Sequence, residues 1–523
     1  MGKWTSDVMA ELSVFKHSSR REMAASVVVF LVALPLCMGI AIASGAPPAA
    51  GLITGIIGGL VVAVFAGAPL QVSGPAAGLS VIVYDLVQTH GFSALGWIVL
   101  AAGAIQLIAG LAGLGQWFRA VSPAVIHAML AGIGVLILVS QFHVMVDDAP
   151  RGTGLENLIA IPEAVAKGLA PADGSVHFQA AMIGLLTLGL MIAWKPLAPR
   201  SMRSIPAPLV AVVGATAFAS FAGLGVNRVD IPENLMEAVS LPVVADLGSL
   251  GWSVLWSGFA LAFVASAETL LCATAVDKLH DGPRARFDRE LSAQGVGNVL
   301  CGLVGALPMT GVIVRSSANV AAGARTRGSA ILHGVWLLVF CAALPFVLRE
   351  IPTAVLAAVL VFTGYKLVDV AAIKELARFG RVEVMIYSAT LVTIVTVDLL
   401  TGVVLGIALS LARLLFQVSS LRVEVVHAPE NDRYDIHLTG AATVMRLPKL
   451  AAALESVPQA ADLHVHLDGL GYIDHACIDL LVSWEKQNAA SGGQLSVDWE
   501  GLEARFHQPG VVQMEEVTRR AAA

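Results

Sequence analysis

Charge is scarce in this chain. Of its 523 residues only 13% are Asp, Glu, Lys or Arg, against 57% hydrophobic, and the mean hydropathy is +0.78. So few charges cannot cover a water-soluble globule, which excludes a soluble enzyme for most of the length. Cysteine is scarce as well. Cys37, Cys272, Cys301 and Cys341 stand singly in apolar stretches and Cys477 in the tail, a spacing that fits neither a zinc site nor a disulfide framework. No short apolar leader precedes the first long apolar stretch, so no removable signal peptide is expected. The glycine-rich runs Gly55-Ile56-Ile57-Gly58-Gly59 and Gly295-Val296-Gly297 come after no strand, which argues for close helix packing and against phosphate loops. The net charge of -6 is uninformative here, and no metal, cofactor or nucleic-acid partner is expected.

What is present is a succession of about fourteen apolar segments, near 23–44, 49–68, 72–89, 95–116, 122–142, 177–194, 205–224, 252–275, 292–307, 310–322, 329–348, 351–370, 382–398 and 400–419. Most reach the roughly 17 to 25 residues a membrane-spanning helix needs. The segments at 72–89 and 310–322 are too short or too broken by Gly and Pro. Basic residues fall unevenly between the spans. Arg119, Lys195, Arg200, Arg203, Lys278, Arg284, Arg286, Arg289, Arg325, Arg327, Lys374, Arg378 and Arg381 fall on one side, and little more than Arg151, Lys167, Arg228 and Arg349 on the other. This places both termini in the cytoplasm of a multi-pass protein of the inner (plasma) membrane.

After Phe416 the pattern changes. Strand-length runs at 422–429, 434–440, 463–469 and 494–499 alternate with amphipathic stretches at 446–457 and 473–490, which predicts a small α/β domain. The expected organisation is a cytoplasmic segment at 1–22, a membrane transport domain at 23–420 and a cytoplasmic domain at 421–523. His464, His466 and Asp468 share one strand in that last part, without the second ligand pair a metal site needs.

The stretch Phe263 to Arg327 sets the function. It places Glu268 and Arg315 within apolar segments, where an ionisable group costs roughly 2.5 to 3.5 kcal/mol on insertion scales and is functional by default. Ala306-Leu307-Pro308-Met309-Thr310-Gly311 breaks the second of these segments. Thr310 is expected to cap a short helix over 312–322 whose N-terminus, with Arg315 one turn in, forms an anion site. The third segment opens similarly, with Ser73 as the expected cap and Pro75 in the first turn. Seven segments separate the two, so the halves are inverted. Inverted repeats with matching broken helices mark secondary transporters. Gln106, His127, Asn298, Asn319 and His333 read as interhelical hydrogen-bonding groups.

The run from Ala267 to Arg327 resembles the signature region of the SulP anion-transporter family, notably Asp288-Arg289-Glu290-Leu291-Ser292-Ala293-Gln294-Gly295-Val296-Gly297-Asn298 and Gly323 to Arg327. The tail is similar to that family's STAS domain. The resemblance implies a seven-plus-seven inverted repeat and a homodimer. It implies a site for an inorganic anion at Ser73, Gly74, Pro75, Ala76, Gly311, Val312, Ile313 and Arg315, flanked by Glu268 and Cys272. The first segment is similar to that of the cyanobacterial bicarbonate-transporting branch. Cys272 replaces the Thr, Glu268 the Asp and Ala76 the Thr of the sodium-coupled members, and a thiol is a poor sodium ligand. Asp474-His475-Ala476 lacks the serine of phosphorylatable relatives.

The expected function is secondary-active transport of bicarbonate, or next of sulfate, coupled to H⁺ or Na⁺ through Glu268. An anion entering beside a charged Glu268 is repelled, so a proton or sodium ion that neutralises the carboxylate favours binding. Sodium would need further oxygens, from Thr269, Thr310 or the backbone near Gly311. The alternatives are a passive anion exchanger or channel, a nucleobase permease, or a membrane sensor that signals through the STAS-like domain.

Overall fold

The computed structural model describes residues 2–120, 122–169, 176–199, 202, 205–242, 244–428, 433–458, 461–490 and 495–497. It divides into two units, Met1–Ile407 and Ala408–Ala523. The expected loop residues Arg200 and Arg203, and the C-terminal end, lie outside the described residues.

Each apolar segment of the sequence has a helical counterpart. In chain order the helices of the first unit begin with α1 (Gly2–Ala43), α2 (Pro48–Ile57), α3 (Ser80–His90), α4 (Phe92–Leu111), α5 (Pro123–Met145), α6 (Gly154–Leu169), α7 (His177–Leu197), α8 (Ala207–Phe221), α9 (Val244–Asp277) and α10 (Phe287–Leu303). Then come α11 (Ile313–Ala321), α12 (Gly328–Ala343), α13 (Thr353–Leu367), α14 (Val370–Arg378), α15 (Arg381–Thr396) and α16 (Leu399–Val418), the last of which runs on into the second unit. Among the described residues, eight helices are long and apolar enough to cross a membrane. The amphipathic α6 lies outside the apolar segments of the sequence. Its mixed polar face gives no long apolar run, and Asp148 ties it down, since Lys167 donates to that carboxylate at 3.2 Å.

Glycine decides how closely the central helices approach. A Cβ on Gly103 of α4 would collide with the Val299 nitrogen, and one on Gly295 of α10 would collide with the Leu107 nitrogen. The two backbones therefore touch, as small residues permit in membrane helices. A π turn at Gly58–Val62 continues α2. A Cβ on Gly58 would meet the Ser73 carbonyl at 2.5 Å, so the turn and the missing side chain make room for an extended segment at Ser73.

Two short strands cross there. β1 (Ser73–Pro75) and β2 (Met309–Gly311) pair antiparallel, Ser73 opposite Gly311, Gly74 opposite Thr310 and Pro75 opposite Met309. Each leads straight into a helix, β1 through a 3₁₀ turn at Ala77–Leu79 into α3 and β2 into α11. Two helix N-termini thus start from one crossing of antiparallel strands.

The second unit contains a four-stranded sheet of β3 (Leu421–Ala428), β4 (Arg433–Ala442), β5 (Asp462–Ile473) and β6 (Leu495–Val497) in that spatial order. The first pair is antiparallel and the other two are parallel. Helices α17 (Leu447–Glu455) and α18 (His475–Ala490) make the crossovers, as parallel pairing requires. Ile436, Leu438, Leu463, Val465, Leu450, Leu454 and Leu481 fill its core. Asp474 accepts from the Cys477 nitrogen at 2.9 Å and also from the Val444 nitrogen, so the residue that precedes the missing serine caps α18.

Candidate functional site

Among the described residues Arg315 is the largest fully buried side chain, with 0% exposure. As the third residue of α11 it leans back toward the helix start, and its Nη2 donates to the Pro75 carbonyl of β1 at 3.3 Å. A Cβ on Gly74 would collide with Nη1, so only glycine lets β1 pass the guanidinium. Nε and Nη1 have no hydrogen-bond partner. The Cys37 thiol of α1 lies against the same group.

Glu268 of α9 lies against the same segment, four residues further along at Gly78. Its carboxylate would meet a Cβ on Gly78 at 2.7 Å, it faces the Thr310 hydroxyl, and its Oε2 is buried without a partner. The segment from Gly74 to Gly78 therefore carries a charged group against each of its two glycines. Thr269 Oγ1, one residue on, accepts from the Gly311 nitrogen at 3.2 Å. Cys272 Sγ lies 3.8 Å from Ser316 Oγ. Ser316 in turn accepts from the Val72 nitrogen at 2.9 Å and donates to the Val312 carbonyl at 2.7 Å. The expected residues Ser73, Gly74, Pro75, Ala76, Gly311, Val312 and Ile313 all lie on the two strands or the first residues after them.

Two details differ from expectation. Neither Ser73 nor Thr310 caps a half-helix. The residues at the cap positions are Ala76 and Val312, without side-chain capping bonds. Ser73 Oγ is instead taken by Gln294 at 2.6 Å, and Thr310 Oγ1 donates to the Gly311 carbonyl at 3.2 Å. Pro75 likewise belongs to β1 and not to the first turn. The helix N–H groups beyond these strands are thereby left without side-chain caps, which favours an anion more strongly than capped termini would.

Of the polar residues read as interhelical, Asn298 donates to Gln106 of α4 at 2.7 Å, whereas Asn319 donates to the Leu70 carbonyl in the turn before β1, not on a helix, at 3.0 Å. His333 bonds within its own helix instead, to the Ala330 carbonyl at 2.7 Å. One buried residue, Glu290, escapes sequence reasoning. It is fully buried, accepting from the Gly67 and Ala68 nitrogens at 2.8 and 2.9 Å, and from Gln71 and Gln294 at 3.0 Å each. Beyond its place in the run that resembles the family signature, its signal is an acidic residue in the first turn of α10, which ordinarily marks an exposed helix start.

The family model described as Sulfate permease family matches residues 20–390, and one described as Mlab, STAS domain matches residues 428–509. The bicarbonate transporter BicA of Synechocystis is 27% identical over 409 residues, 76% of this chain and 70% of that protein. The solved transmembrane domain of a cyanobacterium bicarbonate transporter BicA superposes with a TM-score of 0.64 at 25% identity, covering 74% of this chain and 97% of that one. Murine Slc26a9, an anion transporter in the inward-facing state, superposes with a TM-score of 0.78 at 16% identity, covering 96% of this chain and 89% of that one, a likeness of fold.

Proposed function

The chain belongs to the sulfate permease family, anion transporters and not enzymes, and from that membership we propose that it is a secondary-active transporter of a small inorganic anion held at the β1–β2 crossing. Bicarbonate is the favoured anion and sulfate the next. Residues Ser73 to Ala76, Gly311 to Ile313 and Arg315 bind it, and Glu268 couples its movement to that of H⁺ or Na⁺.

One observation carries the reading. Arg315 is fully buried with Nε and Nη1 unpartnered, and among the described residues no carboxylate lies within ion-pair distance of it. A buried unpaired charge is strongly unfavourable, and two uncapped helix N-termini add positive potential at the same place. An anion removes that penalty. The likeness to a transmembrane domain of a bicarbonate transporter supports bicarbonate, and the family's name supports sulfate.

Among the described residues Glu268 forms no ion pair with Arg315, which leaves it available as the coupling group. A proton needs only that carboxylate. Sodium needs oxygens besides, and Cys272 offers sulfur directed at Ser316, so the proton is favoured over sodium. A homodimer in the plasma membrane with both termini in the cytoplasm completes the proposal. Uptake of labelled bicarbonate and sulfate into proteoliposomes, with and without sodium and pH gradients, tests it. Accumulation of bicarbonate that tracks the pH gradient is expected. Accumulation driven by sodium and indifferent to pH would replace the proton by sodium, and accumulation of neither anion under any gradient would refute coupled transport of them.

A further inference from the structure

Three polar residues of α10 stand at i, i+4 and i+8, Glu290, Gln294 and Asn298, and therefore share one face of the helix. All three are buried, and each holds a different part of the strand crossing. Glu290 takes the Gly67 and Ala68 nitrogens and Gln71 Nε2, in the loop that leads into β1. Gln294 Nε2 donates to Glu290 Oε1 at 3.0 Å and to Ser73 Oγ of β1 at 2.6 Å. Asn298 Oδ1 accepts from the Met309 nitrogen of β2 at 2.7 Å, and its Nδ2 donates to the Met309 carbonyl at 3.1 Å and to Gln106 of α4.

Glu290 Oε2 accepts from two backbone N–H groups, whose direction is fixed. With its carboxyl ionised Glu290 acts only as an acceptor, and the Gln294 amide then turns its nitrogen toward it, because its oxygen there would face another oxygen. The second hydrogen of that nitrogen is left for Ser73. The residues after Ser73 are the ones that touch the guanidinium, Gly74 against Nη1 and Pro75 through its carbonyl.

We propose that Glu290, Gln294 and Asn298 are positioning residues that set the register of β1 against β2 from one helix face, and so aim Arg315 and both half-helix N-termini at one anion. This rests on the anion site proposed for the crossing. The helix acts as a ruler. Its glycine-mediated contact with α4, where Gly103 and Gly295 meet backbone to backbone, fixes its height, and Asn298 ties that contact to the crossing by bonding Gln106.

The test is a kinetic cycle on the full-length protein in proteoliposomes, with labelled bicarbonate and sulfate as probes. Gln294→Met keeps the volume and removes both donors, and Ser73→Ala removes the acceptor. Each should raise KM for the anion about tenfold, the cost of misaiming one bond to a charged group, with little change in maximal rate. The double variant should be no worse than either single one, because Gln294 acts on the site through Ser73. Asn298→Leu, acting on β2, should raise KM further when combined with Gln294→Met. Changes in yield or maximal rate with KM untouched would overturn the proposal, as would KM effects of Gln294→Met and Ser73→Ala that multiply. If Gln294→Met fails to fold, an unaltered KM in Ser73→Ala refutes it independently. Arg315→Ala separates the two claims. An unchanged KM there removes the anion site itself, whereas a raised KM beside an unchanged one in Ser73→Ala removes only the ladder.

Discussion

At the scale of single residues, the proposed mechanism rests on two charges, Arg315 and Glu268, that form no ion pair among the described residues. Arg315 lies against Gly74 of β1 and Glu268 against Gly78 of the 3₁₀ turn that follows it. Arg315→Ala is expected to weaken anion binding by about 1.5 to 3 kcal/mol, the worth of a hydrogen bond to a charged group. Arg315→Lys should recover part of it, since the ammonium keeps the charge without the planar fork. Anion titration of the purified variants measures both. Gly78→Ala makes a second residue-scale prediction. Its Cβ would lie 2.7 Å from the Glu268 carboxylate, so the carboxylate must move, and gradient-driven uptake should fall well below the parent's at equal protein yield. Gly189→Ala, with nothing within 4 Å of its Cβ, is the matched control and should transport as the parent does.

At the scale of elements, long apolar helices are legible because burial in lipid writes itself into composition, and Glu268, Arg315 and the two broken segments stand out as exceptions to it. The strand crossing is not legible. β1 and β2 are three residues each, and Ser73-Gly74-Pro75 and Met309-Thr310-Gly311 carry no period of two long enough to read. Ser73 and Thr310 resemble helix caps because a hydroxyl before a helix usually is one. Here Gln294 claims the first hydroxyl and the Gly311 carbonyl the second, a competition no capping rule foresees. Glu290 is hidden for a related reason, since only the folded loop at Gly67 and Ala68 turns it inward. In the second unit the strand alternation of the sequence returns as strands, with His437 and His466 stacked at 4.5 Å between neighbouring strands. Beside them, burial opposes the charge of Asp435, but hydrogen bonds from Arg433 and His466 outweigh it and hold its carboxyl below the usual carboxylate range. A carboxyl whose folded value is lowered stabilises fully at neutral pH and loses that contribution as pH falls below about 4. Asp435→Asn should therefore flatten the acid limb of the second unit's thermal stability and leave uptake at neutral pH unaltered, as melting curves across pH would reveal.

At the scale of the whole molecule, every residue assigned to the anion lies in the unit Met1–Ile407. Removal of residues 422–523 is accordingly expected to preserve anion binding while lowering assembly or rate. Binding lost altogether in a correctly inserted truncation would contradict the placement of the site. Coupling is also a property of the whole cycle, because a carboxylate beside the anion matters only if its charge alters which loaded states form. Glu268→Gln mimics the neutral form permanently. The most direct measurement is the steady-state accumulation of labelled bicarbonate in proteoliposomes under an imposed pH gradient, parent beside Glu268→Gln, with anion exchange measured at zero gradient. The variant is predicted to keep exchange and lose accumulation; accumulation equal to the parent's would contradict coupling through this carboxylate and remove Glu268 from the mechanism.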